Sequence, residues 1–161
     1  MKKRKILIFT DLDGSLLNHN NFEFKEIKDF ILNCISNGIK IIPNTSKTEE
    51  EIQVFLEQLG QNLPFVVENG AAIHNLDLVH PKIKFKNNSI IFSRSLSEIL
   101  EQFKKNIPID FQKRCFFLKD MSFIEQMKIL GLNRKYLPFA LNRYYSMPLV
   151  IDGSKEIINE F

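Results

Sequence analysis

The sequence has no tryptophan, and its two cysteines and three histidines are scattered. Cys34 and Cys115 form no Cys-x-x-Cys, and His19, His74 and His80 form no group at metal-ligand spacing, which excludes a disulfide framework and a thiolate or imidazole metal site. Charge of one sign is also in short supply. A net charge of +3 over 161 residues is too small to point to nucleic acid. The one basic cluster, Lys2, Lys3, Arg4 and Lys5, reads as a solvated tail before a strand. Long apolar runs are missing as well. Ile6 to Phe9 stops at Thr10 and Asp11, short of the roughly 7–15 residues of a signal peptide, and no stretch nears the about 20 residues of a membrane span. The chain is expected to be reduced and cytoplasmic, with no membrane or nucleic-acid partner.

Core-forming material is ample. Hydrophobic residues make up 44% of the chain, including fifteen phenylalanines, and charged residues 25%, as in an ordinary globular protein. There is neither an internal repeat nor a low-complexity tract. KILIFT, from Lys5 to Thr10, reads as a fully buried strand of a parallel sheet. Ile27, Phe30, Ile31, Cys34 and Ile35 then mark the apolar face of a helix that Gly38 ends, with Cys34 a small buried hydrophobe. A second strand spans Ile39 to Ile42. Thr48 and Glu51 form a capping box opening a second helix, which carries Ile52, Phe55, Leu56 and Leu59 and closes at Gly60. A third strand runs from Pro64 to Val67.

Strand and helix thus alternate as in a doubly wound α/β sheet, whose ligands sit at the carboxyl ends of the strands. DLDGS, NTSKT and ENG, which follow the three strands, should converge on one crevice. After residue 80 a basic, irregular stretch to Asn88 reads as a linker. Residues 1–80 are assigned to a core and 81–161 to a small α+β unit. The second unit is expected to hold strands at Ile90–Phe92, Phe116–Leu118 and Leu149–Ile151. Capped helices should open at Ser95 with Glu98 and at Ser122 with Glu125, the latter ending at Gly131. A further helix presents Leu137, Ala140, Leu141 and Tyr144. SKEIINEF, from Ser154, begins another helix where the sequence ends. Three parallel strands and a second unit leave the sheet unfinished, so the chain is expected to be truncated.

The chemistry concentrates at the first loop. Asp11 and Asp13 leave the same strand end together and make a site suited to Mg²⁺, a hard cation that prefers oxygen ligands. With that charge neutralised, one carboxylate can attack phosphorus while the other moves the proton. An EF-hand calcium loop is excluded, because the positions that need Gly and Glu hold Leu16 and Phe22. Thr45, Ser46 and Lys47 offer hydroxyls and a cation at the second loop. Ser46 or Thr48 can instead cap the following helix, and the two roles are compatible at a helix N-terminus. Glu68, Asn69 and Gly70 read as an ordinary turn.

IFTDLDGSLL, NTSKT and VVENGAAI together resemble the haloacid dehalogenase-like phosphatases that carry an α/β cap after the third core strand. NTSKT, KDMSFIEQMKILGL and ALNRYYSMPLVI narrow the resemblance to the mannosyl-3-phosphoglycerate phosphatase family. The resemblance implies a partial doubly wound, Rossmann-like core with an inserted α+β cap, and a Mg²⁺-dependent phosphatase acting through an aspartyl-phosphate. Its substrate would be a small phosphorylated sugar-glycerate, mannosyl- or glucosyl-3-phosphoglycerate. Asp11 would be nucleophile and Mg²⁺ ligand. Asp13 would be general acid/base, with its carbonyl on the metal. The backbone N–H groups of Leu12 and Asp13 and the Thr45 hydroxyl would hold phosphate oxygens. Ser46 and Lys47 would shape the pocket, Arg143 would contact glycerate or sugar, and Tyr145 would pack nearby. Met147 stands where the family pattern has Glu, and Tyr144 replaces a charged residue. The phosphate-binding lysine and second acidic motif of the family follow the cap and have no counterpart here, so the chain by itself is expected to be weak or inactive as a catalyst. The other readings are a different sugar phosphatase of the superfamily and a shortened, non-catalytic binding protein.

Overall fold

A computed structural model describes residues 6–17, 24–80, 82, 84 and 86–153. The helix expected from Ser154 lies outside them. The chain divides into two compact units, Met1–Ser93 and Arg94–Phe161.

In the first unit, strand β1 (Leu7–Thr10) pairs in parallel with β2 (Lys40–Pro43), and helix α1 (Lys25–Ser36) makes the crossover. Gly38, at a φ of 80°, turns the chain out of α1, and the Ile39 N–H closes the turn on the Cys34 carbonyl. Helix α2 (Glu49–Leu59) leads to β3 (Phe65–Val67), which runs parallel to β2 through a bridge between Asn44 and Val66. Thr48 caps α2 in a full capping box with Glu51, and Gly60 ends the helix in the left-handed conformation. The apolar face read from its spacing, Ile52, Phe55, Leu56 and Leu59, is buried throughout.

Two features of this unit depart from the expected pattern. β3 continues through the turn at Glu68–Gly70 into an antiparallel strand, β4 (Ala72–His74), which in turn pairs with β5 (Ile90–Ile91). The strand assigned to the second unit therefore belongs to the first, and the division falls at Ser93 rather than at residue 80. The second correction is burial. β1 was expected to be fully buried, yet Leu7, Ile8 and Phe9 are exposed, as is Phe30 on α1 at 69%. The burial that β2 and β3 achieve comes from flanking elements, and none of the described residues supplies it to β1.

The second unit begins with α3 (Leu96–Asn106) and the short α4 (Ile109–Gln112). Strand β6 (Cys115–Phe117) then pairs antiparallel with β7 (Leu149–Ile151) across α5 (Phe123–Leu130) and α6 (Leu137–Leu141). Its core gathers Phe111, Leu118, Leu132, Leu137 and Ala140, with Phe103 edge-on to Phe117. Gln126, buried here, donates its amide to the Leu118 carbonyl at 2.9 Å. Tyr144 lies beyond the end of α6 and is exposed, so it does not share the helix face expected for it. Both predicted capping boxes are present, at Ser95 with Glu98 and at Ser122 with Glu125, and Gly131 ends α5. No helix among the described residues is long and apolar enough to cross a membrane.

The contrast in burial is testable. Ile52→Ala is expected to destabilise by about 3 kcal/mol, and Phe30→Ala by less than about 0.5 kcal/mol, in urea unfolding followed by circular dichroism. The caps give a second test. The Ser95 and Ser122 hydroxyls hold the Glu98 and Glu125 carboxyls below their ordinary range. Each depressed carboxyl supports its helix at neutral pH, and that support is lost as pH falls through the glutamate range. Ser95→Ala should move the Glu98 titration upward by NMR and leave Glu125 unchanged.

Candidate active site

The parallel register of β1 and β2 sets Thr10 beside Pro43, and the Asn44 N–H donates to the Thr10 carbonyl at 2.8 Å. Asp11 and Thr45 therefore emerge at the same end of the sheet. Leu12 is wholly buried and anchors the turn that follows, its carbonyl accepting from the N–H groups of Ser15, Leu16 and Leu17. Gly14, at a φ of 71°, lets the chain double back so that its N–H reaches the Leu17 carbonyl.

The second and third loops are tied together by backbone. The Thr45 N–H donates to the Val66 carbonyl, the Asn69 N–H to the Thr45 carbonyl and the Glu68 N–H to the Lys47 carbonyl, all at 3.0–3.1 Å. Glu68 and Asn69 hold left-handed backbone, at φ of 48° and 61°, to make this connection. The result is an open pocket of about 470 Å³ lined by Phe9, Thr10, Asp11, Asn44, Thr45, Ser46 and Asn69. All three loops contribute to it.

Charge at the rim is arranged around Lys47. Its ammonium stands 3.1 Å from Asp13 Oδ1 and 3.4 Å from Glu51 Oε1, one turn along α2. The contact with Asp13 is an ion pair rather than a directed hydrogen bond, since this buried Oδ1 has no hydrogen-bond partner. Glu51 also accepts from the Thr48 N–H, so the capping box fixes the far side of the lysine. Lys47, read from the sequence as a pocket-shaping residue, bridges the two acids. Leu12 differs too. Its N–H donates to Asp11 Oδ1 at 2.7 Å, so the amide expected for phosphate is engaged by the adjacent carboxylate.

A hard cation held by one or two carboxylates keeps several waters. Asp11 is exposed beside the pocket and Asp13 Oδ1 carries an unused acceptor, so the donor set fits such an ion, with Lys47 competing for the second oxygen. No cluster of three or more His, Cys, Asp or Glu suited to a metal occurs among the described residues.

Arg143 lies in the second unit, where it lines a cavity of about 200 Å³ with Lys119, Ser97, Ser146 and Met147. Its Nε donates to Ser146 Oγ at 2.7 Å, which orients the guanidinium. Tyr145 packs against Tyr144 and is not part of that lining.

Sequence reasoning overlooked Asn44, Glu51 and Asn69. The i, i+4 spacing of Lys47 and Glu51 on a helix was a usable signal for the ion pair. Asn69 was placed at the crevice only as part of the ENG loop, and its own side chain was not singled out because its position depends on the positive φ of the turn. His74 was also overlooked. It is buried, stacks on Phe65, and joins Ser89 at 2.9 Å through Nδ1, with Glu49 3.8 Å away.

The strand ends gather Asp11, Thr45, Ser46, Asn44 and Asn69 around one pocket, with Asp13 two residues beyond Asp11, the loop arrangement of a doubly wound α/β enzyme. Residues 8–156 match the haloacid dehalogenase-like hydrolase family, and the chain belongs to it. It is 31% identical over 157 residues to the glucosyl-3-phosphoglycerate/mannosyl-3-phosphoglycerate phosphatase of Persephonella marina, a match covering 94% of this chain. Over 69 residues, 43% of the chain, it is 38% identical to the phosphatase of the same name from Methanococcoides burtonii. The chain spans 57% of the length of the first relative, and the match to the second covers 25% of that protein. The fold is shared with a hypothetical protein from Geobacillus kaustophilus, with TM-score 0.59, 18% identity and coverage of 98% of this chain and 62% of the other. A Thermotoga maritima protein shares it with TM-score 0.57, 16% identity and coverage of 98% and 60%.

Proposed function

We propose that the chain is the nucleophile-bearing part of a phosphatase that hydrolyses glucosyl- or mannosyl-3-phosphoglycerate. The observation that carries the reading is the exposed Asp11 carboxylate at the end of β1, sharing a pocket with Thr45 and Ser46 and followed two residues later by Asp13. The names of the two phosphatase relatives supply the substrate class.

In this mechanism Asp11 attacks the phosphorus of the ester. The phosphorus–oxygen bond to the glycerate breaks, and Asp13 gives its proton to the departing alkoxide. Asp13 then takes a proton from water, and the hydroxide attacks the phosphorus of the aspartyl-phosphate. Inorganic phosphate leaves and the Asp11 carboxylate is restored. The Thr45 hydroxyl and the N–H groups of Leu12 and Asp13 hold phosphate oxygens, so Asp11 must release the Leu12 amide as substrate arrives. Ser46 borders the ester side. Lys47 orients Asp13 from one side while Glu51 restrains Lys47 from the other. Mg²⁺ held by the Asp11 carboxylate and by Asp13 would neutralise charge on the transferred phosphoryl group.

The second unit is the cap. Arg143 and Lys119 give its cavity two cations suited to the glycerate carboxylate, and Met147 contributes an apolar surface.

Weak magnesium-dependent phosphate release from the two sugar-glycerate phosphates is expected of this chain, with Asp11→Asn abolishing it. Beryllium trifluoride mimics the aspartyl-phosphate and gives a reading independent of turnover. A bound ¹⁹F signal that vanishes in Asp11→Asn supports Asp11 as the acceptor, whereas a signal unchanged by the substitution rejects it. Arg143→Ala should raise KM for the sugar-glycerates by about tenfold or more, the loss of one charge-assisted contact, with little effect on a small aryl phosphate.

A further inference from the structure

Helices α2, α3 and α5 all open with a capping box, and the box of α2 is built differently from the other two. At α3 and α5 the glutamate is exposed, and its Oε2 accepts from both the N–H and the hydroxyl of the capping serine. At α2 the two oxygens are divided. Glu51 Oε2 accepts from the Thr48 N–H at 3.0 Å, while Oε1 stands 3.4 Å from the Lys47 ammonium. This pair is also largely withdrawn from water, with the Glu51 side chain 11% exposed and that of Lys47 12%. A cap needs neither feature, because Glu98 and Glu125 hold the same helix position in contact with solvent. Taking a carboxylate out of water is unfavourable unless a partner offsets it. The withdrawn glutamate of α2 is therefore explained by what it does to Lys47.

Lys47 is divided in its turn. Its ammonium stands 3.1 Å from Asp13 Oδ1, an atom shut off from solvent. The lining of the pocket between the loops includes Asp11 but not Asp13. The backbone at Asp13 is held by its bridge to Leu17 and by the Gly14 N–H on the Leu17 carbonyl. The Asp13 carboxylate therefore reaches the pocket by rotating its side chain away from Lys47. A carboxylate that leaves a mostly buried ammonium is opposed by the charge left behind, and Glu51 meets that charge. Asp13 and Glu51 also repel each other across the nitrogen they share, which weakens the hold of Lys47 on either.

We infer that Glu51 is a positioning residue that acts through Lys47 and makes the hold of Lys47 on Asp13 reversible. Lys47 keeps Glu51 as its partner while Asp13 is away, and takes Asp13 back when it returns. The catalytic use of that movement rests on the phosphatase reading. The sharing of Lys47 between two acids does not.

The test is Glu51→Gln. The amide oxygen of glutamine still accepts from the Thr48 N–H, so the capping box and the urea midpoint should be preserved. Carbon-13 relaxation dispersion at the Asp13 carboxyl, assigned with Asp13→Asn, reads microsecond-to-millisecond exchange of that side chain without any turnover. The unsubstituted chain should show exchange, and Glu51→Gln should quench it. In phosphate release, Glu51→Gln should lower kcat about tenfold with little change in KM, a size usual for coupled neighbours. Both effects of Glu51→Gln should vanish when Lys47→Met is already present. The proposal is overturned if Glu51→Gln leaves the Asp13 exchange unchanged, or if its effects persist in the Lys47→Met background. A fall in the urea midpoint would mark Glu51 as a structural cap and overturn it as well. The expected exchange in a chain that forms no beryllium trifluoride adduct at Asp11 would uphold the sharing of Lys47 and reject the phosphatase reading.

Discussion

The structure of the first unit depends on the parallel pairing of β1 with β2. One hydrogen bond, from the Asn44 N–H to the Thr10 carbonyl, lies at its working end. A shift of a single residue in that register would reverse the faces of β1 and carry Asp11 away from Thr45. The register is held from below by the buried Ile41 and Ile42 and from the side by Leu12, which is inserted into the core directly after the nucleophile candidate. A buried leucine between two aspartates explains how a short polar loop can be rigid. Asp11 points outward and Asp13 turns to Lys47 because the residue between them is pinned inward.

The same economy governs the charges. Two carboxylates and a lysine within about 4 Å would be poorly placed on separate flexible loops. Here Lys47 is the residue before a helix cap, and Glu51 belongs to that cap. The capping box therefore sets the position of a helix and, through Lys47, the neighbourhood of Asp13. Local helix chemistry and site electrostatics use the same atoms, so α2 cannot fray without loosening the ion pair.

What the sequence revealed followed the range of the interactions involved. Capping boxes at Thr48, Ser95 and Ser122 and the stops at Gly60 and Gly131 are settled within a few residues, and all were legible. The apolar face of α2 was legible because every residue on it meets the sheet. The face of α1 was legible only in part, since Phe30 fits the helical period yet is left exposed among the described residues. KILIFT has the texture of a doubly covered strand, and the covering is a matter of other elements that no local pattern can supply. The pairing of β4 with β5 was missed for a related reason. The turn at Glu68–Gly70 was read from the sequence, but the three residues Ala72–His74 are too short a run to announce the antiparallel strand that follows it. The candidate site was legible in Asp11, Asp13 and Thr45, which share one rim through the strand order. The partners of Lys47 were not, because a lysine in a loop has several acids within reach and only the folded backbone chooses among them.

The open apolar edge at β1 has a consequence for the life of this chain in a cell. A strand of consecutive hydrophobic residues with one edge that no described strand pairs is the kind of surface chaperones retain and quality-control proteases engage. A chain carrying such a strand persists in proportion to how quickly the strand is covered. Its steady-state abundance would then follow how fast β1 is covered more than its own rate of synthesis.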